Sequence, residues 1–260
     1  MTRRAFTLIE LLIVVAIVTV SVTIVLIWLH SLSLGHAEQR PRIRCMNNLN
    51  YIGKALVMYT TDYDDKFPCP PNAASFDAPT GSQRTARATS GPYSITSVMF
   101  ILVRDGQPAA MFRCPGDANT TDPNALKDSA GNYLWDFEAK ENVGYSFQTP
   151  LAGGTDFGNM PSGVAIVADK AQTNGWGGYS SGLPHDQMKR YMSPNHDGGE
   201  MINVLWADFS VHGNVKTVAC GLRDDNIYTA SGAKPGDPDS TDTDPNHHTQ
   251  PTDSMLIGPK

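Results

Sequence analysis

Hydrophobic and polar positions divide the chain into stretches of different period. From residue 11 to residue 29 no side chain is charged, close to the roughly 20 apolar residues with which a helix crosses a bilayer core. No proline interrupts this run. The first one follows at Pro41, where the missing N–H is expected to break or kink the helix. Beyond it, Cys45, Leu49, Ile52, Leu56, Tyr59 and Tyr63 recur at steps of four, three, four, three and four, the spacing of one helical face. Met46 and Val57 lie beside that face, and Asn47, Asn50 and Lys54 fall off it. The second helix therefore carries an apolar stripe that a sheet or other helices must cover. It is expected to end at Asp64-Asp65-Lys66, before Phe67-Pro68.

The remaining pattern is shorter in range. Residues 69–91 are rich in Pro, Ala, Ser, Thr and Gly and read as a surface loop. Residues 95–104 form a short helix, and 143–148, 164–168 and 201–209 are strands, with a return strand at 211–218. Val164-Ala165-Ile166-Val167-Ala168 is apolar on both faces, as in a central strand covered on both sides. Residues 231–252 hold almost no apolar side chain. Such a segment cannot bury enough surface to offset its ordering entropy, so a mobile tail is expected. The sum is an α+β chain in which a long N-terminal helix packs on an antiparallel sheet with long loops. Its expected parts are a short polar start (1–5), a membrane helix (6–34), the amphipathic continuation (35–66), a head (67–230) and an acidic tail (231–260).

Composition narrows the function. The chain has 260 residues, enough for a head with a core of its own. Its 23 glycines and 18 prolines agree with many turns, and its net charge of −6 argues against a nucleic-acid partner. Cys45, Cys69, Cys114 and Cys220 are widely spaced with no C-x-x-C pair. Zinc sites usually take ligands in close pairs, so the spacing argues against a metal cluster. An even count in an exported chain suits two disulfides in any of three pairings. Cys45 lies on the apolar stripe, where a buried free thiol is the other reading.

The start of the chain carries the sharpest signal. A secretory signal peptide would have a shorter apolar region. An ordinary anchor accounts for the length but not for Glu10, a carboxylate one residue before the uncharged run, where a charge normally marks a function. Arg3-Arg4-Ala5-Phe6-Thr7-Leu8-Ile9-Glu10 resembles the processing site of type IV prepilins and pseudopilins. The resemblance implies that residues 1–5 are a prepilin leader, cleaved by a prepilin peptidase between Ala5 and Phe6, with methylation of the Phe6 amine. Ala5 stands where most of that family has glycine. Glu10 matches the glutamate that pairs with the N-terminal amine of a neighbouring subunit. The implied partners are copies of the chain, other pilin-like subunits, the peptidase, an inner-membrane assembly platform and membrane lipid. The implied location is a single pass through the cytoplasmic membrane with a periplasmic head, then a filament or the cell surface after assembly. Arginines flank both ends of the run (Arg3 and Arg4; Arg40, Arg42 and Arg44), so charge alone does not orient it.

A second resemblance lies in the head. Arg44-Cys45-Met46-Asn47-Asn48-Leu49, Phe112-Arg113-Cys114-Pro115-Gly116-Asp117 and the stretch from His196 to Asp208 are similar to a bacterial family of pilin-like proteins with a C-terminal H-x9-DG motif. Here eleven residues separate His196 from Asp208, and Phe209 replaces the glycine. A phenylalanine would be strained in a tight hairpin, so a longer turn using Ser210, or a different geometry, is expected. His185, His196, Asp197, Asp208 and His212 invite a metal-hydrolase reading, but histidines beside Gly, Asp and Asn more often cap turns. Asp62, Asp64 and Asp65 resemble half a calcium site, with Asp224 and Asp225 as further candidates. The favoured reading is a non-enzymatic pilin or pseudopilin subunit without a cofactor. The alternative is a tethered periplasmic binding or sensory protein that does not polymerise, and behind it a tethered hydrolase.

Overall fold

The computed structural model of the chain describes residues 8–37, 39–70, 72–76, 78–82, 84–86, 89–123, 125–148, 160–171, 184–196, 198–217, 227–228 and 256–259. Two compact units follow one another, Met1–Arg40 and Pro41–Lys260. The first is built on α1 (Leu8–Ala37), a helix uninterrupted through the whole apolar run. The next helix, α2 (Gln39–Asp62), places Pro41 in its first turn, where the missing N–H would have had no intrahelical partner.

The second unit is an antiparallel sheet with helices about it. Its strands are β3 (Tyr145–Gln148), β4 (Ala165–Asp169), β5 (Ile202–Trp206), β6 (Val211–Val215) and β7 (Leu256–Ile257), in the order β6-β5-β4-β3-β7. β4 is central and wholly buried, as its two-sided apolar pattern predicts. On one face the sheet packs with Leu49, Ile52 and Leu56 of α2, with α3 (Ile95–Arg104), and with Phe112 and Phe137. On the other, Ala168, Val204 and Trp206 meet Met188, Tyr191 and Met192 from α4 (His185–Met188) and the 3-10 turn after it. α3 starts where Ser94 caps it, its hydroxyl accepting from the Ser97 N–H at 3.2 Å. Gly53 eases the close approach of α2 to the sheet, because a Cβ there would press on Leu205 Cδ1 at 3.0 Å.

The hairpin between β5 and β6 resolves the missing glycine. The Phe209 N–H donates to Trp206 O at 2.9 Å, and the Trp206 N–H donates to Ser210 O at 2.9 Å. This is a three-residue loop whose last position is left-handed, and Phe209 occupies it at φ +62°. Asp208 Oδ1 holds the turn by accepting from the Ser210 N–H at 2.9 Å and its hydroxyl at 2.6 Å. The Phe209 ring packs half-buried against the core, which offsets the backbone cost. Phe209→Ala loses the ring and keeps the strain, whereas Phe209→Gly loses both. The glycine variant is therefore expected to be the more stable of the two by about 1 kcal/mol in urea unfolding. Equal stability would contradict this account of the turn.

The segment read as a plain surface loop contains a short parallel pair, β1 (Ala73–Ser75) with β2 (Gly91–Pro92). The buried carboxylate of Asp136 ties it to α3. It accepts from the Gly81 N–H (2.8 Å), the Phe137 N–H (2.8 Å), the Thr96 hydroxyl (2.7 Å) and the Ser94 hydroxyl. Burial raises the Asp136 carboxyl above its ordinary value, against the opposing pull of these donors. At the other end of the chain, Leu256 and Ile257 pair with β3 as an edge strand. Those two residues thus belong to the head's sheet rather than to a separate tail. Residues 231–252 lie outside the described residues.

Candidate functional site

Two places concentrate unusual chemistry, one in each unit. In α1, every residue from Leu8 to Leu29 is exposed within its own chain, the large apolar ones by 51 to 78 %. This stretch of 22 residues is about 33 Å long, enough for a hydrocarbon core of about 30 Å. Its hydroxyls are satisfied inside the helix: Thr19 donates to Ala16 O (2.9 Å), Ser21 to Ile17 O (2.8 Å) and Thr23 to Val20 O (2.8 Å). Groups bonded back to their own helix enter an apolar surrounding at little cost. Glu10 stands in the first turn of α1, where the positive end of the helix dipole favours a carboxylate.

The second place is a buried cluster in the head. Cys45 of α2 and Cys114, just after the 3-10 turn Ala109–Phe112, form a disulfide with Cα atoms 5.1 Å apart. The pairing left open by the sequence is therefore Cys45 with Cys114. Against it lie His196, whose Nε2 is 3.7 Å from Cys114 Sγ, and Asp169 at the end of β4, whose Oδ1 is 4.0 Å from the same sulfur. Asp169 Oδ2 accepts from the Asn203 N–H (2.7 Å) and its side-chain amide (3.0 Å), and lies 3.3 Å from His196 Nε2. The turn at Gly116 admits the imidazole, since a Cβ there would lie 2.4 Å from His196 Cε1. Tyr145 donates its hydroxyl to Cys45 O at 3.3 Å. Burial first, then the Asp169 charge, push that phenol well above its ordinary value.

The other candidate residues are dispersed. His196 is buried in this cluster, whereas Asp208 is exposed at the hairpin tip and His212 is exposed beyond it. Bonds to Ser210 hold the Asp208 carboxyl below its ordinary value. His185 sits at the surface, Nε2 3.2 Å from Glu200. Asp62, Asp64 and Asp65 are exposed around the end of α2, with Asp64 and Asp65 left-handed at φ +55° and +57°. Cys69 is a half-buried free thiol, pushed up to about 11 by burial. Ala5, Phe6, Asp197, Cys220, Asp224 and Asp225 lie outside the described residues. Asp169 was not among the candidates; the one trace of it in the sequence is a carboxylate closing an otherwise apolar central strand.

Residues 1–26 match the family described as the prokaryotic N-terminal methylation motif. The chain begins as a prepilin does. The match takes in Ala5, Phe6, Glu10 and most of the uncovered apolar helix. It supports a pilin-like protein that prepilin peptidase processes and that is anchored in a membrane. The head's helices and antiparallel sheet give this prepilin-like chain its α+β class. No curated protein and no solved structure matches the chain.

Proposed function

We propose that the chain is a pilin or pseudopilin subunit. The peptidase removes residues 1–5, and the amine of Phe6 is methylated. Mature subunits leave the cytoplasmic membrane through an assembly platform and stack their helices into a type IV pilus-like or secretion-pseudopilus filament. The head faces the periplasm and later the filament surface. The observation that carries this reading is an apolar helix uncovered around its whole circumference, directly behind a methylation motif. Lipid covers it before assembly and identical helices cover it after.

The outer side of α2 adds support. Ile43, Tyr51 and Met58 are exposed by 51, 59 and 56 % at steps of eight and seven, which draws a second apolar line apart from the buried stripe. Two lines on one helix, one covered by the head and one open, suit a helix with a neighbour still to come. Glu10 then pairs with the Phe6 amine of the adjoining copy and fixes the register between subunits.

A photo-crosslinking residue at Met58 tests the contact in cells. A covalent adduct of two copies is the expected product. A chain that remains a monomer under irradiation, in cells with a functioning assembly platform, would favour a tethered protein that does not polymerise.

A further inference from the structure

We propose that the reduced head binds one zinc ion through Cys45 Sγ, Cys114 Sγ, His196 Nε2 and Asp169 Oδ1. Two thiolates, an imidazole and a carboxylate form a donor set suited to tetrahedral Zn²⁺. All four ligand atoms lie within 4.8 Å of one another, and all four residues are buried. Zn–S bonds of about 2.3 Å and Zn–N or Zn–O bonds of about 2.0 Å make a tetrahedron with edges of roughly 3.3 to 3.8 Å. The separations of 3.7 Å from Cys114 Sγ to His196 Nε2 and 4.0 Å to Asp169 Oδ1 are close to such edges.

The surroundings favour a cation here. Asp169 is a fully buried carboxylate, and Asn203 holds Oδ2 through two hydrogen bonds. Oδ1 is left facing Cys114, and among the described residues it receives no other hydrogen bond. A disulfide sulfur has no proton to donate, so in the oxidised chain that buried oxygen lacks a donor, a costly state. A zinc ion would neutralise it together with the two thiolates. Asn203 is then the outer partner that orients a ligating carboxylate. Four protein ligands in a closed, buried site describe a structural centre rather than a catalytic one. The donors come from α2, the turn after Phe112, β4 and the turn before β5, so one ion would pin these elements together before any disulfide exists.

Metal and disulfide exclude each other. Oxidation by a protein disulfide would join Cys45 to Cys114, reduce that oxidant to two thiols with uptake of two protons, and release the ion. The spacing argument against a metal cluster does not reach this site, because its ligands are 69 residues apart in the two cysteines and come from separate elements for the rest.

The test uses full-length protein in detergent micelles, with Cys69→Ser and Cys220→Ser removing the other thiols, reduced by a phosphine and titrated with Co²⁺. One equivalent is expected to produce a thiolate-to-cobalt charge-transfer band and intense tetrahedral d–d bands, and Zn²⁺ should abolish both. His196→Ala and Asp169→Asn should each weaken binding at least tenfold, and the oxidised protein should bind none. If reduction unfolds the head, Zn²⁺ should restore its circular dichroism. The proposal is overturned by a folded reduced chain without the bands, by bands indifferent to both substitutions, or by an unfolded reduced chain that Zn²⁺ does not rescue.

Discussion

Glu10→Gln is expected to abolish filament assembly while leaving membrane insertion and the head intact. The substitution keeps size and hydrogen-bonding capacity and removes only the charge. In the membrane this is neutral or mildly favourable, since a charge near hydrocarbon costs up to about 2.5–3.5 kcal/mol on insertion scales. In the proposed filament it would strand the amine of the adjoining Phe6 in an apolar core. Removing one partner of a buried ion pair costs about 3–5 kcal/mol, or roughly two to four decades in each subunit contact. A polymer needs that contact at every step, so sheared filaments should vanish from immunoblots while the membrane fraction holds wild-type amounts. Normal filament yield from this variant would count heavily against the pairing.

The second large effect concerns the head. Cys45→Ala/Cys114→Ala removes a cross-link between residues 69 apart. In the chain-entropy account a loop of that length is worth about 4 kcal/mol. For a unit of this size, that corresponds to a fall in Tm of roughly 10 °C. The cross-link joins α2 to the turn that holds Gly116 against His196, so the loss is expected to loosen the contact between α2 and the sheet first. Thermal unfolding followed by circular dichroism would show it. A Tm unchanged within a degree or two would mean that the apolar contacts of Leu49, Ile52 and Leu56 already fix α2 in place.

Local pattern carried much of the fold. The boundaries of α3 match the expected 95–104 because an apolar run follows a serine cap and stops before Asp105-Gly106. The α2 stripe was legible from its period, and Cys45, Leu49, Ile52 and Leu56 are all buried. Three of the four expected strands are longer than the observed ones, and the central one is the same length shifted by one residue. Ala207, Asp208 and Phe209 extend the apolar and polar alternation but belong to the turn, and Phe209 adopts a left-handed conformation that no propensity favours. The β1–β2 pair and β7 were invisible, because elements of two or three residues are made by their neighbours and not by their own sequence.

The candidate site divides the same way. The membrane start was readable because its chemistry is contiguous, eight residues from Arg3 to Glu10. The cluster of Cys45, Cys114, Asp169 and His196 was not, since its members come from four separate elements and no two share a local motif. His196 stood among the candidates through a resemblance, but with Asp208 as its partner. The fold gives it Asp169 instead and leaves Asp208 to brace a turn. A buried carboxylate at the end of a central strand is the kind of feature that has meaning only after the strands are ordered.

The most direct test of the account is mass spectrometry of the N-terminus of the protein purified from its own cells. The account predicts a mature chain that begins at N-methylated Phe6. A chain that still carries Met1 through Ala5, in cells with an active prepilin peptidase, would contradict it.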